Sequence, residues 1–512
     1  MIAHRRPRRL VLSPTSSLLP WSSIRRCPRI APNTTAEMST TTTLPDRLPS
    51  EQSTESFWHS EPSKRLMGHR TTRDLPSEAN VVIVGSGITA AGAARGLWRN
   101  SVSQARQGVQ PPSVVMLEAR EACWGATGRN GGHIFPILHD YVEDDQIGSF
   151  ELENLRAIEA LIRDLDIHCD YQRLTSVRAI YTKLDLEEIE AALCTLKEKY
   201  PELASHVRLV TDHGELVRLR IPSAIAATMC DKAARLWPYK FVTRLLEDLV
   251  FPAGDLDGRP ALNLQTTTPV ISLCPTASAL GARSWEVVTR RGTIQAQNVI
   301  MATNGYLSAL LPQFSGLVEP CRGHAASLKP PPEATGTRQI THNHVFAGPG
   351  FYDYLIQLPN ERDGALMFGG GDEHAGLGSA DDSSVDENSL QYLRRRLYDH
   401  LNLDAASPEA ALSATHEWSG IMGYSRDGLP WVGPVPSHPG VFIAAGYTCN
   451  GMPNAFLCGQ AVAAMANATR NGHSVEDAVD ATAEDVKVAL PRAYLIDQDR
   501  MDRARKLEAA KW

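Results

Sequence analysis

Gly85, Gly87 and Ala90, within Gly85-Ser86-Gly87-Ile88-Thr89-Ala90, have the spacing with which a chain holds a dinucleotide pyrophosphate. Each small residue has its own task. Gly85 permits a tight turn, Gly87 leaves room for the phosphates to approach the backbone, and Ala90 lets the following helix pack closely on its strand. The ligand's charge then sits at a helix N-terminus, where free N–H groups and the helix dipole favour an anion. Glu118 ends a second apolar run, from Ser113 to Leu117, and a carboxylate there accepts the two hydroxyls of an adenosine ribose. Between Ala90 and Glu118 lie 27 residues, more than a compact unit requires, and the polar segment 99–112 reads as an insertion.

Two further segments are built for close approach. Residues 121–133 carry four glycines, and so much conformational freedom is tolerable only where backbone must lie against something flat. Near the other end, the apolar run 441–445 opens into Gly446-Tyr447-Thr448-Cys449-Asn450-Gly451-Met452-Pro453 and then a small-residue helix over 455–468. A helix start aimed into the same crevice stabilises negative charge there. Arg322, Tyr424 and Asn450 are the polar side chains expected to meet a substrate. His342 and His344 have no Cys or acid beside them, so no metal site is expected.

The elements that must position these residues follow from periodicity. Apolar residues at helical spacing mark helices over 148–165 and 184–200, another running to about 249, and one over 389–401. Period-two and β-branched runs mark strands at 81–84, 113–118, 176–181, 262–270, 285–290, 293–302, 352–357 and 365–369. Residues 38–78 read as an extended arm tied down by Phe57-Trp58.

A 512-residue chain with a net charge of −7 is long enough for two or three domains and has no general attraction to nucleic acid or anionic lipid. No apolar run approaches the roughly 18 residues of a membrane span. Nine scattered cysteines without a Cys-x-x-Cys pair suit a reducing compartment, and a cytoplasmic protein is expected. Residues 1–36 hold seven arginines and no acid, the composition of a mitochondrial transit peptide. Pro7, Pro14 and Pro20 interrupt an amphipathic helix there, and a start at Met38 is the competing reading.

Taken together, residues 57–468 resemble the D-amino-acid-oxidase-like FAD-dependent oxidoreductases, in the branch of γ-glutamylputrescine oxidase and the glycine and sarcosine oxidases. The matching pieces are 82–89, Leu-Glu-Ala-Arg at 117–120, Gly-Ala-Thr-Gly-Arg-Asn-Gly-Gly-His at 125–133, Ala-Thr-Asn-Gly-Tyr at 302–306 and the turn at 446–452. The resemblance implies an α/β protein with a Rossmann-like FAD-binding domain and a second α+β substrate domain built on an antiparallel sheet. It divides the chain into an N-terminal segment (1–56), an FAD domain from 57–150, 240–320 and 415–475, a substrate domain from 151–239 and 321–414, and a helical tail (476–512).

It further implies that Gly85, Gly87, Ala90, Glu118, Arg120, Thr127, Arg129, Asn130, Gly131, Val270, Gly446, Gly451 and Met452 bind FAD. Val270 would meet the adenine through its backbone, and the 446–452 turn would face the flavin N1 and C2 carbonyl. The implied reaction removes hydride from a carbon bearing an amine and leaves an imine that water hydrolyses, with O2 reoxidising the flavin to give H2O2. A dehydrogenase passing electrons to a partner, and a flavin-binding protein without turnover, are the alternatives. Departures matter: Cys449-Asn450 stands where the family often has Gly-His, and a substrate-gripping lysine falls at Pro453. The attachment positions fall near Gly420 and Arg129, so FAD is expected to be non-covalent.

Overall fold

The computed structural model describes residues 47–106, 110–140, 142, 144–252, 260–277, 283–371, 376–403, 410–474 and 489–507. The expected targeting segment, and the 476–488 and 508–512 parts of the expected tail, lie outside the described residues.

Val81-Val82-Ile83-Val84 has no polar side, the pattern of a strand buried on both faces. The strand Glu78–Val84 accordingly lies inside a sheet, parallel to Gly292–Met301 on one side and Val114–Leu117 on the other, with Val82 opposite Val299 and Val115. Asn263–Gln265 extends the sheet beyond 114–117, and Val441–Ala445 then Trp431–Pro434 extend it beyond 292–301. The expected single strand over 262–270 is two: Asn263–Gln265 joins the parallel sheet, while Val270–Ala277 forms a hairpin with Arg283–Thr289. Thr267, at φ 47°, turns the chain between them, and Pro269 has no N–H to continue a ladder.

One face of this sheet is covered by the helices Ile88–Arg106 and Ala455–Arg470 lying against each other. A Cβ at Gly92 would stand 2.2 Å from the Phe456 carbonyl oxygen, and one at Gly459 would stand 2.1 Å from that of Thr89. Backbone touches backbone at this crossing, so the two starts of helix, far apart in sequence, are held in one fixed relation.

The second sheet runs Ala414–Ser425, Val318–Leu328, Leu366–Gly370, Phe351–Gln357, Asn343–Gly348, Gln172–Ile180, Ala226–Arg235, His133–Ile134, with Val207–Val210 beside Ala226–Arg235. Its pairings are antiparallel except that Asn343–Gly348 lies parallel to Gln172–Ile180, a departure from a purely antiparallel sheet. Residues 133–134 and 415–425, which the sequence reading groups with the FAD segments, pair in this sheet.

The arm is tied as its aromatic pair suggests. Phe57 lies 5.1 Å from Trp237 between ring centroids, Trp237 Nε1 donates to the Trp58 carbonyl at 2.8 Å, and Trp58 Nε1 donates to the Asn130 carbonyl at 2.6 Å. This places the arm directly behind the glycine-rich loop. Among the described residues no helix is long and apolar enough to cross a membrane.

Candidate functional site

A cavity of about 2230 Å³ lies between the sheets, bordered by Gly85 and Glu118 from the first and by Gly323 and Tyr354 from the second. Of the residues expected from sequence, Gly85, Gly87, Glu118, Arg120, Thr127, Arg129, Asn130, Gly131, Val270, Tyr424, Asn450, Gly451 and Met452 border it. Ala90, Gly446 and Arg322 are not among its lining residues. Ala90 is fully buried under the first turn, and Gly446, at φ 75°, donates its N–H to Asn304 Oδ1 at 3.0 Å as a pivot of the far turn. Arg322 sits on Val318–Leu328 opposite Ile421, next to Gly323, His324 and Ala325, which border the cavity.

At the glycine turn, Gly85 has φ 106°, and a Cβ there would lie 2.6 Å from the Ala302 carbonyl oxygen. Gly87 is required for a reason within the protein as well: its Cβ would lie 2.9 Å from Thr127 Oγ1, which accepts the Ile88 N–H at 3.1 Å. The glycine-rich loop, with a 3₁₀ turn at Ala126–Arg129, thus interlocks with the helix start. Glu118 is pre-oriented by Ser86, whose hydroxyl donates to Oε2 at 2.5 Å while accepting the Cys123 N–H at 2.9 Å; Arg120 N–H donates to Oε1 at 2.9 Å. Each carboxylate oxygen retains a lone pair for a further donor.

Arg120 and Arg129 converge on the buried Asp382. Arg120 Nη1 donates to its two oxygens at 2.8 and 3.0 Å, and Arg129 Nε lies 3.6 Å away. Arg129 also donates to the carbonyls of Trp124, Ser419 and Thr54 at 2.9, 2.8 and 2.6 Å. Burial lowers its pKa to about 10, with Asp382 opposing that shift, so it stays charged and clamps the arm to the loop. Gly420 offers no nucleophile, and a Cβ there would meet Arg129 Cβ at 3.1 Å. Tyr306 borders the same space with a buried hydroxyl that has no partner among the described residues, and burial pushes its pKa up.

Across the cavity, Thr448 and Cys449 have φ of 46° and 66°, left-handed conformations that persist only when the surroundings enforce them. Thr448 N–H donates to the Gly423 carbonyl at 2.8 Å, and Tyr424 Oη lies 3.0 Å from Cys449 Sγ. His133 borders the cavity beside Phe135 and Tyr354, at centroid distances of 4.7 and 5.1 Å. Burial drives its pKa down to about 3, so it is neutral. His344 is a packing residue, its Nε2 2.9 Å from the Leu219 carbonyl, and no cluster of metal-ligating side chains occurs among the described residues.

The residues present fit FAD. The glycine cradle and the oriented Glu118 face a volume well above the roughly 300–1,000 Å³ of a single small-ligand pocket, and Tyr306 borders it. The parallel sheet with its glycine turn, joined to a second sheet across that volume, is the architecture of a two-domain flavin oxidoreductase. Residues 80–465 match the family model "FAD dependent oxidoreductase" (DAO), and the chain belongs to that family. A probable oxidoreductase OrdL of Rhizobium meliloti is 24% identical over 413 residues, covering 76% of this chain and 83% of that protein.

Among solved structures, glycine oxidase from Geobacillus kaustophilus is 17% identical at a TM-score of 0.59, covering 75% of this chain and 93% of its own. L-amino acid deaminase from Proteus myxofaciens is 15% identical at a TM-score of 0.60, covering 86% and 97%. The chain is therefore an FAD-dependent oxidoreductase.

Sequence reasoning missed Ser86, Asp382, Tyr306 and His133. Ser86 occupies a variable place in the glycine motif, and Asp382 lies in a polar run, Ala380 to Ser384, that reads as an exposed loop. His133 had a signal in its place directly after Gly131-Gly132.

Proposed function

We propose that the protein oxidises the carbon next to the nitrogen of an amine or amino-acid derivative, yielding an imine that water hydrolyses, with O2 as electron acceptor and H2O2 as product. FAD, when bound, supplies the hydride acceptor. The observation that carries the reading is one continuous cavity bordered both by the Gly85–Glu118 cradle and by the neutral, aromatic group of His133, Phe135 and Tyr354. Its relatives' names, glycine oxidase and L-amino acid deaminase, support a nitrogen-bearing, amino-acid-like substrate.

In this reading Glu118 accepts the ribose hydroxyls, the start of the helix Ile88–Arg106 faces the pyrophosphate, and Val270 flanks the adenine. Arg120, Thr127, Arg129, Asn130 and Gly131 shape the wall against which the flavin ring lies. The 446–452 turn, with Gly451 and Met452, brings a helix start toward the pole of the ring that gains negative charge. Asn450 and Tyr424 stand on the substrate side. The burial that keeps His133 neutral acts equally on a substrate ammonium, so nitrogen sheds its proton on entry and its lone pair assists hydride loss. A peroxide-coupled screen of amines and amino acids tests the reading. Peroxide with at least one substrate supports it; reduction of an artificial dye without peroxide replaces the oxidase with a dehydrogenase.

A further inference from the structure

Beneath the far turn lies an acid outside every role described so far. Glu151, on the helix Asp145–Asp164, is 0% exposed. Its Oε1 accepts from Asn450 Nδ2 at 2.5 Å and from Asn454 Nδ2 at 2.9 Å, and its Oε2 accepts from the Ile137 N–H at 3.0 Å. The same helix holds the turn again through Asn154, which donates to the Met452 carbonyl at 2.9 Å and accepts the Leu457 N–H at 3.0 Å.

We propose that Glu151 is a positioning residue that turns the Asn450 side-chain carbonyl into the cavity, giving the site an acceptor for the amino N–H of its substrate. The argument is one of valence. Glu151 Oε1 already accepts from Asn454 and Oε2 from Ile137, so the edge of the Asn450 amide that faces Oε1 is the NH2 edge; the opposite orientation would press two acceptor oxygens together. Asn454 is settled in the same sense, since its Oδ1 accepts the Tyr494 hydroxyl at 2.9 Å. With its nitrogen committed, Asn450 presents Oδ1, which has no hydrogen-bond partner among the described residues, from a residue that borders the cavity. The left-handed backbone at Thr448 and Cys449 brings that side chain round to this place.

An acceptor selects for a donor. Primary and secondary amines carry an N–H to meet Oδ1; a tertiary amine does not, and leaves a desolvated carbonyl unpaired. The inference rests on the amine-oxidising reading and sharpens it to nitrogen bearing at least one hydrogen. The loss of one such hydrogen bond corresponds to roughly tenfold in affinity, at about 1.4 kcal/mol per decade.

The test uses FAD-loaded protein and the amine giving the highest rate in the peroxide screen, together with its N-methyl and N,N-dimethyl derivatives. For the unmodified protein, kcat/KM for the parent and N-methyl amines is expected to exceed that for the N,N-dimethyl amine at least tenfold. In Glu151→Gln, whose amide can also donate and so releases Asn450, the ratio is expected to fall toward one, chiefly through KM. Asn450→Leu, which removes the acceptor and leaves Glu151 its other two donors, is expected to do the same. A loss of fold or of cofactor lowers all three rates together and would not collapse their ratio. The inference is overturned by a ratio near one in the unmodified protein, or by an unchanged ratio in either variant that retains FAD. If no amine is oxidised at all, the proposed function fails first, an outcome distinct from both.

Discussion

Ser86→Ala is the sharpest probe of the nucleotide cradle, because one hydroxyl makes two buried hydrogen bonds with separable consequences. The bond to Glu118 Oε2 involves a charged acceptor and contributes about 1.5–3 kcal/mol; the bond from the Cys123 N–H, once lost, leaves a buried donor unpaired at a cost of about 1–3 kcal/mol. The second effect is present with or without cofactor and should appear as lower resistance to urea. The first bears on FAD, because an unrestrained Glu118 must be ordered before it can take the ribose. Its loss should weaken FAD binding by roughly 10- to 100-fold, about 1.4–2.8 kcal/mol. Titration of apoprotein with FAD, followed by quenching of flavin fluorescence, measures this directly. The double variant with Glu118→Ala completes a cycle in which Ser86→Ala should have almost no further effect on affinity. A change in Kd below twofold, or full additivity in the cycle, would refute the assignment of Ser86 and Glu118 to one binding unit.

Asp382→Ala leaves the buried Arg120 and Arg129 without their shared carboxylate and should cost about 3–5 kcal/mol, read as a lower urea midpoint together with earlier proteolysis of the arm near Thr54; an unchanged midpoint would show that the pair is dispensable. Gly92→Ala and Gly459→Ala each force a methyl against backbone carbonyl at the helix crossing, and either should lower stability by about 1–3 kcal/mol or more and weaken FAD binding, measurable by thermal melts with and without cofactor. Acid should unfold the protein early. Burial holds His59 at about 3, and His139 and His344 at about 4, below the value of about 6.5 that an unfolded chain shows. Between those values the unfolded chain binds protons that the folded one refuses, so stability is complete above pH 6.5 and falls as pH drops. Each histidine contributes about 2 kcal/mol of loss by pH 5. Urea midpoints that stay flat from pH 8 to pH 5 would exclude this.

The parts of the molecule that were legible in sequence are those governed by local geometry. Gly85 must turn and Gly87 must stay bare within a few residues of each other, Glu118 ends a short apolar run, and the far Gly446 turn is flanked by a strand and a helix with the same grammar. What escaped depends on partners remote along the chain. Arg120 finds Asp382 across 262 residues and Asn450 finds Glu151 across 299, and no periodicity records such a meeting. The direction of the Asn343–Gly348 pairing was equally invisible, since one strand's pattern does not say which way its neighbour runs.

The crossing of Gly92 with Phe456 also sets a timetable for synthesis. The strand Glu78–Val84 emerges early, yet its neighbour Gly292–Met301 and the helix that seals the glycine turn emerge far later. At about 5–20 residues per second, the roughly 390 residues between them take some 20–80 seconds to make. One edge of that strand has its partner, Val114–Leu117, soon after, but the edge that Gly292–Met301 will take stays open for roughly 210 residues of synthesis, where other nascent chains can pair with it. Recombinant yield should therefore depend on chaperone supply and slow growth more than on added FAD, because the cofactor's cradle closes only once the helix Ala455–Arg470 has been made.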